Sequence, residues 1–276
     1  MNDGRNIRIT TGPRLTGMPA NPPWLAISRP MPSADFRLFC FPYAGGNSLI
    51  YRAWPGNLPS NIEVCPVQLP GRGSRIRETP HKTLSSMVES LGETLPRYLD
   101  KPFVFFGHSM GAMIAFELAR LLRRSYGIEP VRLFVSGRCA PHIPDPDPPT
   151  YNLPKPEFIE ELRRLNGTPR DALENPELME LMIPLLRADF EVVQTYAFSP
   201  AEPLSCPISA FGGLEDEEVM YEHLKGWERH TTGHFTLKMF PGDHFFLNTS
   251  SETLLLAISA ELSRLSGPCP IPKPLF

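Results

Sequence analysis

The chain has 276 residues and a mass of 31.0 kDa, room for one large α/β unit or for two domains of about 150 residues each. With 41% hydrophobic, 21% charged and 10% aromatic residues it is neither disordered nor fibrous. Its 27 basic and 30 acidic residues leave a net charge of −3, which gives no support to nucleic-acid binding, where an excess of Lys and Arg must neutralise phosphates.

Residues 1–33, rich in Pro, Gly, Asn and Thr without periodicity, read as a loosely held, extended lead-in. They lack the apolar stretch of a signal peptide, and no run of about 18 apolar residues occurs in the chain, so neither secretion by that route nor a membrane span is expected. Cys40, Cys65, Cys139, Cys206 and Cys269 are scattered and form no C-x-x-C pair, so no disulfide framework or zinc site is indicated and a reducing cytoplasm is expected. Proline makes up 33 of the 276 residues, about 12% against an ordinary ~5%. Long irregular connections follow from that excess.

From Arg37 the pattern changes. RLFCFP, IEVCPV, FVFFG, VRLFVS, CPISAFGG and FTLKMF are short apolar runs bounded by Gly, Pro or Asn, as in strands buried on both faces. Helical patterns lie between and after them, roughly at Ser48–Trp54, Thr83–Leu99, Gly111–Arg124, Glu217–Arg229 and Ser250–Leu265. The alternation predicts an α/β fold, a mostly parallel, doubly wound sheet over 34–266. About 70 residues separate Ser136 from Cys206, far more than one crossover needs. An insertion at about 138–200 is therefore expected, opening with a proline-dense stretch and continuing with two amphipathic helices. Phe158, Leu162 and Leu165 recur on one, and Leu178, Met182, Leu185 and Leu186 on the other. Its position favours a lid over a substrate chamber, with Phe158, Leu162, Leu178, Met182 and Leu186 as candidate lining. Residues 267–276 form a Pro-rich tail.

The strongest chemical signal is Gly107-His108-Ser109-Met110-Gly111, set between a buried strand and a helix. That is a nucleophile elbow, in which a sharp turn lifts the serine above the sheet and the glycines let strand and helix approach. The helix N-terminus favours an oxyanion there, and Met110 N–H is the first donor. Folds with this elbow supply their partners in the order Ser, acid, His. His81, His108 and His142 are poorly placed, while His223, His230 and His234 lie on or after a polar helix and read as solvated. His244 follows a buried strand directly, at the carboxyl edge of the sheet, and is the candidate base. The acid belongs to the loop Leu214-Glu215-Asp216-Glu217-Glu218. Asp216 is chosen over its three neighbours, with Asp243 and Asp189 as further competitors. Tyr43-Ala44-Gly45-Gly46-Asn47 follows the first strand, and Ala44 N–H is the candidate second oxyanion donor.

FPYAGGNSLIYRAW, QLPGRGSR, FFGHSMGAMIAFELAR, SGRCAP, LRRLNGTP, ENPELMELMIPLLRADF, FGGLEDEEV and PGDHFFL, spread in order from Arg37 to Leu262, resemble the type II thioesterases of polyketide synthase and nonribosomal peptide synthetase systems. The resemblance implies an α/β-hydrolase fold and hydrolysis of acyl groups from the phosphopantetheine arm of acyl or peptidyl carrier proteins, which would be the partners. It implies Ser109, Asp216 and His244 as the triad with Ala44 and Met110 at the oxyanion hole, and no metal or cofactor beyond the substrate's own phosphopantetheine. Two departures stand out: Glu217 follows Asp216 where the family usually has Pro, and the lead-in is longer than usual. Arg72, Arg75 and Arg77 are candidates for the arm's phosphate or an acidic carrier surface, or else a solvated loop. A general carboxylesterase or lipase on the same scaffold is the alternative, and a monomer is the default expectation.

Overall fold

The computed structural model describes residues 24–27, 30–145 and 147–264. In chain order the elements are β1 (Phe36–Phe41), α1 (Trp54–Asn57), β2 (Ile62–Pro66), α2 (Leu84–Thr94), β3 (Phe103–His108), α3 (Met110–Tyr126) and β4 (Arg132–Ser136). There follow α4 (Lys155–Arg164), α5 (Arg170–Leu173), α6 (Pro176–Gln194), β5 (Ile208–Gly213), α7 (Tyr221–Lys225), β6 (Phe235–Phe240), α8 (Phe246–Thr249) and α9 (Ser251–Ser263). The six apolar runs are the six strands of one sheet, every neighbouring pair parallel, in the order β2-β1-β3-β4-β5-β6.

The strands alternate sides with period two. Phe39, Phe41, Phe103, Phe105, Leu133 and Val135 face one core with α2 and α3. Leu38, Cys40, Val104, Phe106 and Phe134 face a second with Trp54 of α1 and Leu254 and Ile258 of α9. Burial on both sides is why these strands read as continuous apolar runs. The expected helix over Glu217–Arg229 is shorter. Residues 217–220 stay in a loop held by Asp216, and a 3-10 turn, Gly226–His230, completes the segment.

The segment between β4 and β5 carries α4, α5 and α6, which enclose a core of their own from Phe158, Leu162, Leu173, Met179, Ile183 and Leu186. On α6 the sequence offers two adjacent apolar phases. Met179, Ile183 and Leu186 are buried, whereas Leu178 is 37% and Leu181 76% exposed. The helix is rotated by about one residue from the expected phase. The charge of Asp189, fully buried and paired with Arg72, fixes which side turns inward.

The described part of the lead-in is not loose. Trp24 and Leu25 are buried, Leu25 bridges Val67 in antiparallel register, and Gln68 N–H donates to Trp24 O at 2.9 Å. The Arg75 guanidinium lies 4.1 Å from the Trp24 ring centroid. An aromatic anchor with a cation on its face outweighs the irregular composition around it. The rest of 1–23 and the tail at 267–276 lie outside the described residues. Among the described residues no helix is long and apolar enough to cross a membrane.

Candidate active site

Ser109 joins β3 to α3 with φ 52° and ψ −115°, a left-handed conformation that an L-residue adopts only under external constraint. The constraint is visible on both sides. A Cβ on Gly107 would sit 2.1 Å from Gly111 O, and one on Gly111 would sit 2.0 Å from Phe41 O. Ser109 N–H donates to Ser136 O at 2.8 Å, pinning the turn to β4. Met110 begins α3, so its N–H has no intrahelical acceptor.

Two loops from the same end of the sheet converge here. His244 lies on the turn after β6, and its Nδ1 is 2.8 Å from Asp216 Oδ2. Asp216 lies just past β5, with its side chain fully buried. Its other oxygen accepts from the backbone N–H groups of Glu218 at 2.9 Å and Val219 at 3.0 Å. Those bonds leave the carboxylate one orientation, with a single oxygen free for the imidazole. Among the four acids of the loop only Asp216 is buried, while Glu218 pairs with Arg164 at 2.6 Å. Asp243 is turned elsewhere, accepting from Phe245 N–H and Asn166.

His108 packs against His244 with ring centroids 5.2 Å apart, fully buried, its Nδ1 2.9 Å from Ser136 Oγ. Burial, reinforced by His244, pushes its pKa well below the imidazole range. A neutral ring in that place adds no like charge to repel an imidazolium on His244. His230, expected to be solvated, is buried instead. It lies 2.8 Å from His142 and is ringed by Phe116, Trp227 and Phe198. Its burial, with His142 beside it, lowers its pKa to about 4.

Ser109, His244 and Ala44 open into one chamber of about 750 Å³. Phe245, Ile143 and Arg138 line its body side, and Leu162, Leu165, Leu186, Phe190 and Val193 line its roof. Of the residues expected to line it from the insertion, Leu162 and Leu186 do. Phe158 is sunk in the insertion's own core, Met182 flanks that core, and Leu178 points outward. The arginines after β2 are also reassigned. Arg72 pairs inside the protein with Asp189, and Arg75 with Glu78 while covering Trp24, so only Arg77 remains exposed.

Sequence reasoning weighed Asp189 only as a competing triad acid and passed over Arg138 in the chamber wall. The signal for the first was a lone carboxylate inside the apolar run LLRADF, which demands a buried partner. Among the described residues no group of three or more His, Cys, Asp or Glu side chains is arranged to hold a metal ion.

The model of the Thioesterase domain family matches residues 36–262. Linear gramicidin dehydrogenase LgrE of Brevibacillus parabrevis is 46% identical over 242 residues, 87% of this chain and 92% of that protein. Gramicidin S biosynthesis protein GrsT of Aneurinibacillus migulanus is 44% identical over 245 residues, 89% and 96% of the two chains. Among solved structures, the type II thioesterase BorB from the borrelidin biosynthetic cluster superposes with a TM-score of 0.81 at 35% identity, covering 89% of this chain and 100% of that one.

Proposed function

Because the chain belongs to the thioesterase family, among its type II members, we propose that it is a serine thioesterase that removes acyl groups from the phosphopantetheine arm of carrier proteins in polyketide or nonribosomal peptide assembly. The observation that carries this reading is the joint opening of strained Ser109 and the Asp216-bound His244 into one roofed chamber. In this reading the insertion is the lid, and the protein works in the cytoplasm, where its carrier partners are made.

His244 donates its Nδ1 hydrogen to Asp216, which leaves Nε2 as the basic nitrogen available to the nucleophile in the shared chamber. Ser109 Oγ attacks the thioester carbonyl while His244 takes its proton. The tetrahedral oxyanion is held by the N–H groups of Met110 and Ala44, and collapse expels the pantetheine thiolate. With a pKa near 8.5, that thiolate leaves readily and then takes the proton from His244, which returns the imidazole to its neutral, basic form. Water, activated by the same imidazole, then releases the acid from Ser109. Side chains and backbone carry every step, the phosphopantetheine belonging to the substrate. An apolar roof of Leu, Phe and Val suits varied acyl chains better than one fixed substrate. One relative's name includes dehydrogenase; this sequence contains no G-x-G-x-x-G run of the dinucleotide-binding kind.

The test compares hydrolysis of an acyl group on holo carrier protein with hydrolysis of the oxygen ester of the same acyl chain. Faster release from the carrier is expected. A large preference for the oxygen ester without carrier dependence would assign the protein to the general carboxylesterases instead.

A further inference from the structure

One buried carboxylate stands outside the Ser109, His244 and Asp216 arrangement yet is tied to it. Asp189, within α6, has a fully buried side chain. Arg72 grips it at both oxygens, Nη1 to Oδ2 and Nη2 to Oδ1, each at 2.7 Å. The same Oδ2 accepts the Gly45 N–H at 2.7 Å, and Arg72 Nη1 also donates to Gly46 O at 3.0 Å. Three distant stretches therefore meet at one ion pair: the roof helix, the loop after β2, and the turn after β1.

That turn carries Ala44. It is closed by Gly46 N–H donating to Tyr43 O at 2.9 Å, with Gly45 at φ +76°, the left-handed value that glycine adopts without cost. The Tyr43 carbonyl is thereby directed into the turn. In a trans peptide the N–H opposes the C=O, so the Ala44 N–H of the same plane is directed away from it. It has no protein acceptor among the described residues, and Ala44 lines the chamber. Each of the next three planes has one polar group committed: Gly45 N–H to Asp189, Gly46 N–H to Tyr43, and Gly46 O to Arg72.

We propose that Asp189 and Arg72 are positioning residues for the oxyanion hole, holding the Tyr43–Gly46 turn so that Ala44 N–H is set before the reaction begins. The proposal rests on the hydrolase reading above. A donor lowers the barrier only when it need not reorganise as charge develops, and a turn with two glycines is the softest part of such a site. A carboxylate beside a forming oxyanion would by itself oppose it. Arg72, bonded to both oxygens, cancels that field, so the tie holds the turn without adding negative charge.

The consequence is an asymmetry. Asp189→Asn keeps an oxygen for Gly45 N–H but loses the ion pair, whereas Arg72→Met leaves a bare carboxylate beside the hole. The test measures kcat and KM on an acyl-pantetheine thioester and on p-nitrophenyl acetate, the thermal midpoint, and Ki for an acyl trifluoromethyl ketone, whose serine adduct places an oxyanion in the hole. Asp189→Asn is expected to lower kcat by about tenfold to a hundredfold with KM within about threefold. Arg72→Met is expected to lose more, and Arg72→Lys to recover part. Ki should rise by the same factor as kcat/KM falls. A folded Asp189→Asn protein with kcat within twofold of the parent overturns the proposal, as does a loss of kcat with Ki unmoved, which marks a merely structural role. If Asp189→Asn does not fold, Arg72→Lys takes the same comparison of Ki with kcat/KM. Native protein that hydrolyses the ester but not the thioester would refute the proposed substrate, while the Ki series still decides the tie.

Discussion

Gly111→Ala tests how much of the rate depends on the close approach of α3 to β1. The added methyl would lie 2.0 Å from Phe41 O and 2.6 Å from Phe41 C, both backbone atoms that no rotamer change can move. Ordinary contact begins near 3.4 Å, so the helix start and the strand must separate by about 1.4 Å. That shift carries Ser109 and Met110 N–H with it. Misplacement by about 1 Å costs on the order of a hundredfold in rate, and forcing a methyl into a filled space costs about 1–3 kcal/mol of stability. The expected result is kcat/KM down by about a hundredfold or more and a lower urea midpoint. Gly56→Ala is the control, because nothing beyond its chain neighbours and its own helix backbone lies within 4 Å of the Cβ it would gain and the residue sits in α1. It should leave activity unchanged and stability equal or slightly raised. Activity of Gly111→Ala within threefold of the parent would show that the elbow tolerates a wider spacing and that its geometry does not limit the rate.

Ser109→Ala is expected to abolish both turnover and fluorophosphonate labelling while circular dichroism stays unchanged, and labelling that persists would mean another nucleophile. Asp216→Asn should lower kcat by about three to four orders of magnitude, since an amide in that place favours the wrong tautomer of His244, and a loss below tenfold would move the role to a neighbouring acid. His230 is held neutral, with its pKa lowered from 6.5 to about 4. The unfolded chain therefore binds the extra proton over that interval, and stability is retained above about pH 6.5 and lost as pH falls toward 4, by up to ~1.4 kcal/mol per pH unit. Urea titrations at pH 7 and pH 5 should show His230→Gln flattening that slope, and an unchanged slope would refute the assignment. Phe158→Ala should lose about 3–5 kcal/mol of packing inside the insertion, whereas Leu178→Ser should change stability by under about 0.5 kcal/mol, both read by hydrogen exchange of α4 and α6.

β1 to β5 were legible because each is buried throughout, the half-buried edge strand β6 because FTLKMF is a short run bounded by Gly and Pro, and the elbow because its two glycines answer backbone contacts that no other residue permits. His244 and Asp216 could be chosen from their places just past β6 and β5, and the structure places the two side chains 2.8 Å apart. What stayed hidden depends on contacts between distant segments. The phase of α6 is decided by a partner 117 residues away, Arg72, which the sequence offered equally well as a surface cation. His230 sits among polar neighbours in the chain but among aromatic ones in space, because the 3-10 turn folds it back onto Phe116. Trp24 could not be placed from a segment without period, since the partners of its ring, Arg75 and His81, lie more than fifty residues downstream.

The short strap from Trp24 to Ile27 has a consequence for how the molecule behaves in company. β2 is the outermost strand of its sheet, and the open backbone groups of an edge strand invite a second copy to add itself on. Ala26 N–H, bonded at 2.9 Å to Pro66 O, and the Gln68 N–H taken by Trp24 O occupy the border where it leaves the strand. A chain trimmed past Ile27 would bare those groups together with Val67 and Leu69. Self-association during expression, more than any loss of chemistry, is the penalty to watch for in shortened versions.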